Sequence, residues 1–71
     1  MVREFFKAVE FYKIACDTDY GMACNNLGVM YENGRGIKQD KHKAKALFGK
    51  ACDLKNELGC KNYARLNEAG Y

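Results

Sequence analysis

Ala15-Cys16-Asp17-Thr18-Asp19-Tyr20-Gly21-Met22-Ala23-Cys24 returns 36 residues later as Ala51-Cys52-Asp53-Leu54-Lys55-Asn56-Glu57-Leu58-Gly59-Cys60. In each copy the cysteines stand eight residues apart. The same shift carries Lys7 onto Lys43, Ala8 onto Ala44, Asn26 onto Asn62, Glu32 onto Glu68 and Gly34 onto Gly70. Where identity is lost, apolar bulk is kept, as in Phe11/Leu47 and Tyr12/Phe48. A fixed period of roughly 20–50 residues marks an array built by stacking one supersecondary unit. The chain is a repeat protein.

The repeated unit is helical. The sequence contains no proline, and its glycines fall at intervals. Phe5, Phe6, Val9, Tyr12, Ala15 and Cys16 recur at helical spacing, which predicts a first helix over 4–17. A short connector, Asp17 to Gly21, then forces an antiparallel neighbour over 22–33, with Ala23, Leu27, Met30 and Tyr31 facing inward. Gly34-Arg35-Gly36 stops that helix, because glycine accepts the left-handed conformation at a helix end. Asp40 is placed to cap a third helix over 41–54, and a fourth follows over 57–68. The expected fold is all-α, an α/α superhelix of two repeats and four antiparallel helices. Repeat one covers 1–38 and repeat two 39–71, within one structural domain.

Each cysteine pair joins the last turn of one helix to the first turn of the next, where an antiparallel hairpin brings Cα atoms to about 5–6 Å. The reading adopted is a disulfide closing each repeat, Cys16–Cys24 and Cys52–Cys60. Buried reduced thiols and a metal site are the competing readings. Zinc ligands usually sit closer in sequence, at Cys-x2-4-Cys, and no Cys-x-x-Cys redox motif is present.

Composition narrows the chemistry. Seventy-one residues give one small core that needs help to be stable. No apolar run reaches the ~20 residues of a membrane helix, and the start of the chain lacks the pattern of a signal peptide. Export therefore requires a signal outside these residues. There is no serine, Thr18 is the only threonine and His42 the only histidine. A serine β-lactamase nucleophile in Ser-x-x-Lys is thereby absent, as is a histidine-rich metal centre. The net charge of +3 is mild, and the basic residues are not interleaved with an aromatic platform, so nucleic acid is not expected as a partner.

Three stretches together carry a family pattern. They are Ala-x3-Tyr-x2-Ala-Cys (Ala8, Tyr12, Ala15, Cys16), Cys-x2-Leu-Gly-x2-Tyr (Cys24, Leu27, Gly28, Tyr31) and Gly-x-Gly-Ile-x2-Asp-x3-Ala (Gly34, Gly36, Ile37, Asp40, Ala44). This resembles the Sel1-like repeat, a relative of the tetratricopeptide repeat. The cysteine at each hairpin end is similar to the Helicobacter cysteine-rich protein family, whose repeats are each closed by a disulfide. The second copy departs from the pattern at Tyr63-Ala64-Arg65-Leu66-Asn67, where Leu-Gly-x2-Tyr is lost. This expectation is of a capping repeat or a piece of a longer array.

The resemblance implies a recognition module, secreted or periplasmic in a bacterium, that binds a protein or peptide. In such solenoids the first helix of each repeat lines a concave surface. Lys13, Lys41, Lys45 and Phe48 are the candidate binding residues, with core or inter-repeat packing the competing reading of Phe48 and a solvated face that of the lysines; an acidic peptide or a peptide carboxylate is the target that fits the basic cluster around Lys38, Lys41, His42, Lys43, Lys45 and Lys50. Exposed repeat ends invite self-association. The alternative that the resemblance carries is a penicillin-binding protein with weak β-lactamase activity. No catalytic residue, metal ligand or cofactor is assigned, and no membrane contact is expected.

Overall fold

The computed structural model describes residues 2–71. Four helices follow one another: α1 (Val2–Asp17), α2 (Gly21–Asn33), α3 (Lys41–Asp53) and α4 (Glu57–Glu68). The first helix ends at Asp17 as expected, and the connector is one residue shorter because α2 starts at Gly21. The turn is tight because the helix end folds onto itself. Asp19 N–H donates to Cys16 O at 2.9 Å and Tyr20 N–H to Ala15 O at 3.1 Å.

The second repeat copies this turn atom for atom. Lys55 N–H donates to Cys52 O and Asn56 N–H to Ala51 O, both at 2.9 Å. Asp19 and Lys55, counterparts in the repeat, take left-handed φ values of 66° and 69°. The cysteine Cα atoms are thereby held 4.6 and 4.5 Å apart, and both pairs are bridged as Cys16–Cys24 and Cys52–Cys60.

Between the repeats the chain satisfies the orphan carbonyls at the end of α2. Gly34 adopts φ 68° and its N–H returns to Met30 O. Asp40 N–H reaches Tyr31 O at 2.9 Å, and the Gln39 amide donates to Glu32 O at 2.7 Å. Asp40 then caps α3 as expected, accepting from Lys43 N–H at 3.0 Å. Asn56 caps α4 in the same way, accepting from Gly59 N–H at 2.9 Å; the sequence reading missed that cap.

The helices pack in chain order, α1 on α2, α2 on α3 and α3 on α4. The core runs through this stack as Val9, Cys16, Ala23, Cys24, Leu27, Tyr31, Ala44, Phe48, Ala51 and Leu66. Phe48 corrects one expectation. Placed among the ligand-facing residues by sequence, it is 0% exposed. Its ring lies against Gly28, where an added Cβ would stand 2.6 Å from Phe48 Cε1. Phe48 is the key that joins the repeats, so it cannot touch a ligand.

Two polar links tie α2 to α4. The buried Asn25 side chain accepts from the Asn62 amide at 2.9 Å. Arg65 donates through both guanidinium arms to Glu32, at 2.6 and 2.8 Å. The Arg65 hydrogen bond holds the Glu32 carboxyl below the ordinary glutamate value; partial burial opposes this, and the charges of Arg65 and Lys41 add to it. A depressed carboxyl pKa contributes stability that is present above the unfolded value and lost as pH falls through the folded one. Arg65 is half exposed, which limits the pair to about 0.5–1 kcal/mol. Urea titrations should show Glu32→Gln less stable by that amount at pH 7, with the gap closing in acid below the ordinary carboxylate range. A gap that persists unchanged there would sink this assignment.

Candidate functional site

No Cα of α1 comes within 8 Å of one of α3 among the described residues, so the two first helices leave a channel between them over α2. The channel holds a groove of about 300 Å³ lined by Lys13, Cys16, Asp17, Leu27, Tyr31, Lys43, Leu47 and Lys50. Helical spacing explains who lines it. Lys43, Leu47 and Lys50 recur at i, i+4 and i+7 and so share one face of α3. Lys13 and Asp17 share the facing side of α1, while Leu27 and Tyr31, also four apart, form the floor from α2.

The groove is an apolar trough with cationic rims. Lys43 Nζ stands 5.4 Å from the centre of the Tyr31 ring, a cation–π contact that positions the ammonium over the floor. Lys50 is engaged with Asp19 at 3.7 Å. Among the described residues, neither Lys13 nor Lys43 belongs to an ion pair. Charge is therefore offered from both walls across a surface of Leu27, Tyr31 and Leu47.

The four residues expected at the binding surface separate. Lys13 lines the groove, and Phe48 is core. Lys41 and Lys45 lie on another face of α3, gathered round Tyr71. Lys41 Nζ is 5.5 Å over the Tyr71 ring. Lys45 Nζ is 5.3 Å over the Tyr63 ring and donates to Asn67 Oδ1 at 2.9 Å and to the main-chain oxygen of Tyr71. His42 meets the Tyr71 ring edge-on at 5.6 Å. The rims of the groove, Lys43 and Lys50, were legible only as members of a longer basic run, and the i, i+4, i+7 spacing is the signal that singles them out.

A second hollow, about 290 Å³, is lined by Gly49, Cys52, Asp53 and Tyr63. Each of these is the 36-residue counterpart of a groove residue: Lys13, Cys16, Asp17 and Leu27. It is half of the same groove, without the opposite wall that α3 provides in the first repeat.

Both cysteine pairs are bridged, leaving no free thiol among the described residues. Among the same residues no group of His, Cys, Asp and Glu could hold a metal ion. Thr18, the one threonine, spends its hydroxyl on Ala15 O at 2.8 Å. No helix among the described residues is long and apolar enough to cross a membrane.

Antiparallel helix pairs repeating every 36 residues, with a groove between successive first helices, define an α/α repeat module. The model of the Sel1 repeat matches residues 3–19 and 21–56, so the chain belongs to the Sel1 repeat family. The second of these matches joins α2 to α3, the pair locked by Phe48 and Gly28.

The chain is similar to cytochrome c oxidase assembly factor 7 of Xenopus tropicalis, 37% identical over 65 residues, 90% of this chain and 28% of that protein. It is also similar to putative beta-lactamase HcpD of Helicobacter pylori, 46% identical over 37 residues, 52% of this chain and 12% of that protein. An uncharacterized protein of Haemophilus influenzae is 50% identical over 32 residues, 45% of this chain and 62% of its own length. The chain thus spans little more than a quarter of the assembly factor. No solved structure matches it.

Proposed function

We propose that the groove between α1 and α3 recognises an acidic, partly apolar segment of another protein, in an oxidising compartment such as the periplasm or the extracellular space. The observation that carries this reading is the placement of Lys13 and Lys43 on opposite walls over Leu27, Tyr31 and Leu47. An extended peptide could seat apolar side chains on that floor while its carboxylates meet the rims. The two disulfides favour an oxidising compartment, since thiols are kept reduced in the cytosol.

The relatives' names bear on this reading unequally. Taking part in the assembly of another protein, as the name of the Xenopus relative states of it, is work that a recognition groove would serve. The β-lactamase alternative draws only on the name of the Helicobacter relative. This chain has no serine to act as nucleophile, and we propose no hydrolytic step for it.

A short fluorescein-labelled peptide alternating Glu and Leu is a suitable probe, read by anisotropy at low salt. Saturable binding is expected, and it should weaken at least about tenfold, or 1.4 kcal/mol, in Lys13→Glu/Lys43→Glu. Lys61→Glu, an exposed charge change on α4, serves as the control. Equal losses in both variants, or none in either, would overturn the groove as the binding site. High salt should weaken the wild-type interaction, because rim charges are screened.

A further inference from the structure

The groove between α1 and α3 has two unlike ends. Both walls finish beside the start of α2. The Cys16–Cys24 bridge fixes α1 there, and Gly21 fixes α3, since a Cβ on it would stand 3.1 Å from Leu54 Cβ. Both walls begin beside the loop that leaves α2. A Cβ on Gly36 would stand 2.5 Å from the Phe5 carbonyl carbon, and Asp40 N–H reaches Tyr31 O at 2.9 Å. The two walls therefore run the same way, from a loop end to a turn end.

Charge is ordered along that direction. Lys43 stands at the loop end, over the Tyr31 ring. Lys13 follows on the opposite wall, and Asp17 closes the turn end one helical turn further on. Lys50 also lies toward the turn end, but it is engaged with Asp19. Asp17 belongs to no ion pair among the described residues. It is the last residue of α1, and the last turn of that helix carries no basic residue. The negative end of the helix dipole thus reinforces its carboxylate instead of offsetting it. This corner lacks a cation.

The repeat shift keeps the same order in both walls. Lys7 maps onto Lys43 and Asp17 onto Asp53, so each first helix carries a lysine near its start and an aspartate at its end. Asp53 lines the second hollow as Asp17 lines the groove.

We infer that the groove takes a segment with one order of charge: carboxylates toward the loop end, apolar side chains in the middle, and a lysine or arginine against Asp17 at the turn end. This names the partner chemistry of the site proposed above and rests on that reading. Lys43 and Lys13 receive the acids, and Leu27 and Leu47 the apolar groups. Asp17 fixes which way round the segment lies and disfavours one that is acidic throughout. The run from the lysine to the aspartate of a wall is about 15 Å at 1.5 Å per residue, which an extended segment covers in about four or five residues.

Two fluorescein-labelled peptides test this by anisotropy at low salt, Glu-Leu-Leu-Glu-Leu-Gln and Glu-Leu-Leu-Glu-Leu-Arg. The protein carries a net charge of +3, so its overall field favours the first, and a preference for the second reports a local contact. The arginine peptide is expected to bind at least about threefold tighter, the scale of one exposed ion pair. Asp17 is exposed, and Asp17→Asn should abolish the preference without weakening the glutamine peptide. Asp17→Lys should reverse it, favouring the glutamine peptide. Glu10→Gln removes an exposed carboxylate of α1 outside the groove and should keep the preference. Saturable binding of both peptides with no preference overturns the charge order and leaves the groove as the binding site. So does a preference that survives Asp17→Asn or is lost equally in Glu10→Gln. If neither peptide binds, the charge order and the groove both fall.

Discussion

Reduction of both disulfides is expected to remove more than half of the stability of this protein at 25 °C and to lower its urea midpoint accordingly. Each bridge closes a loop with a sequence separation of eight. In the chain-entropy model a loop of that length contributes about 2–3 kcal/mol by restricting the unfolded chain. Two bridges therefore account for about 4–6 kcal/mol, against the ~3–5 kcal/mol that a core of this size supplies. Circular dichroism at 222 nm during urea titration, with and without a reductant, reads the effect. A reduced chain that kept its urea midpoint would show the bridges to be redundant. The two should also yield in order: Cys16 and Cys24 are buried, whereas Cys52 and Cys60 are half exposed. Stepwise reduction with mass mapping of alkylated cysteines should find Cys52 and Cys60 modified first.

The second large effect is expected at Phe48. Phe48→Ala should cost about 3–5 kcal/mol, because the ring is wholly enclosed and its removal leaves a cavity in the core. Gly28→Ala should cost about 1–3 kcal/mol from the opposite cause, a methyl group forced against the ring. The two are one contact, so their effects should not add. Gly28→Ala combined with Phe48→Leu is expected to recover part of the loss of Gly28→Ala, since the smaller side chain makes room for the methyl. Urea midpoints for the two single variants and the pair decide it. Strict additivity would mean that the ring and the glycine do not meet as described.

How much of this was legible in the chain depended on whether the signal was periodic. The cysteine frame, the repeat of 36, the αL glycine at 34 and the Asp40 cap all depend on local order, and the helices follow within a residue or two. The groove depends on angle. Lys41, Lys43 and Lys45 read as one basic run, yet successive helical residues turn by about 100°. Lys43 accordingly faces α1 across the channel, while Lys41 and Lys45 turn to Tyr71. Phe48 stood between a core and a ligand-facing reading for the same reason, since its enclosure depends on Gly28, 20 residues away on another helix. Asn56, too, is a cap that only the backbone of α4 makes plain.

The loop after each second helix closes back on the start of the first helix of its own repeat through an exchanged pair. In repeat one the helix supplies the ring and the loop the cation, with Arg35 5.6 Å over Phe5. In repeat two the helix supplies the cation and the tail the ring, with Lys41 5.5 Å from Tyr71. These are the same two positions, 36 residues apart, with their chemistry swapped. Recombination is constrained as a result. Exchanging whole repeats would carry each pair intact, whereas trading α1 for α3 alone would set Lys41 against Arg35 and Phe5 against Tyr71. The unit that can be shuffled in such an array is thus the hairpin together with its trailing loop, and crossovers inside it would be selected against.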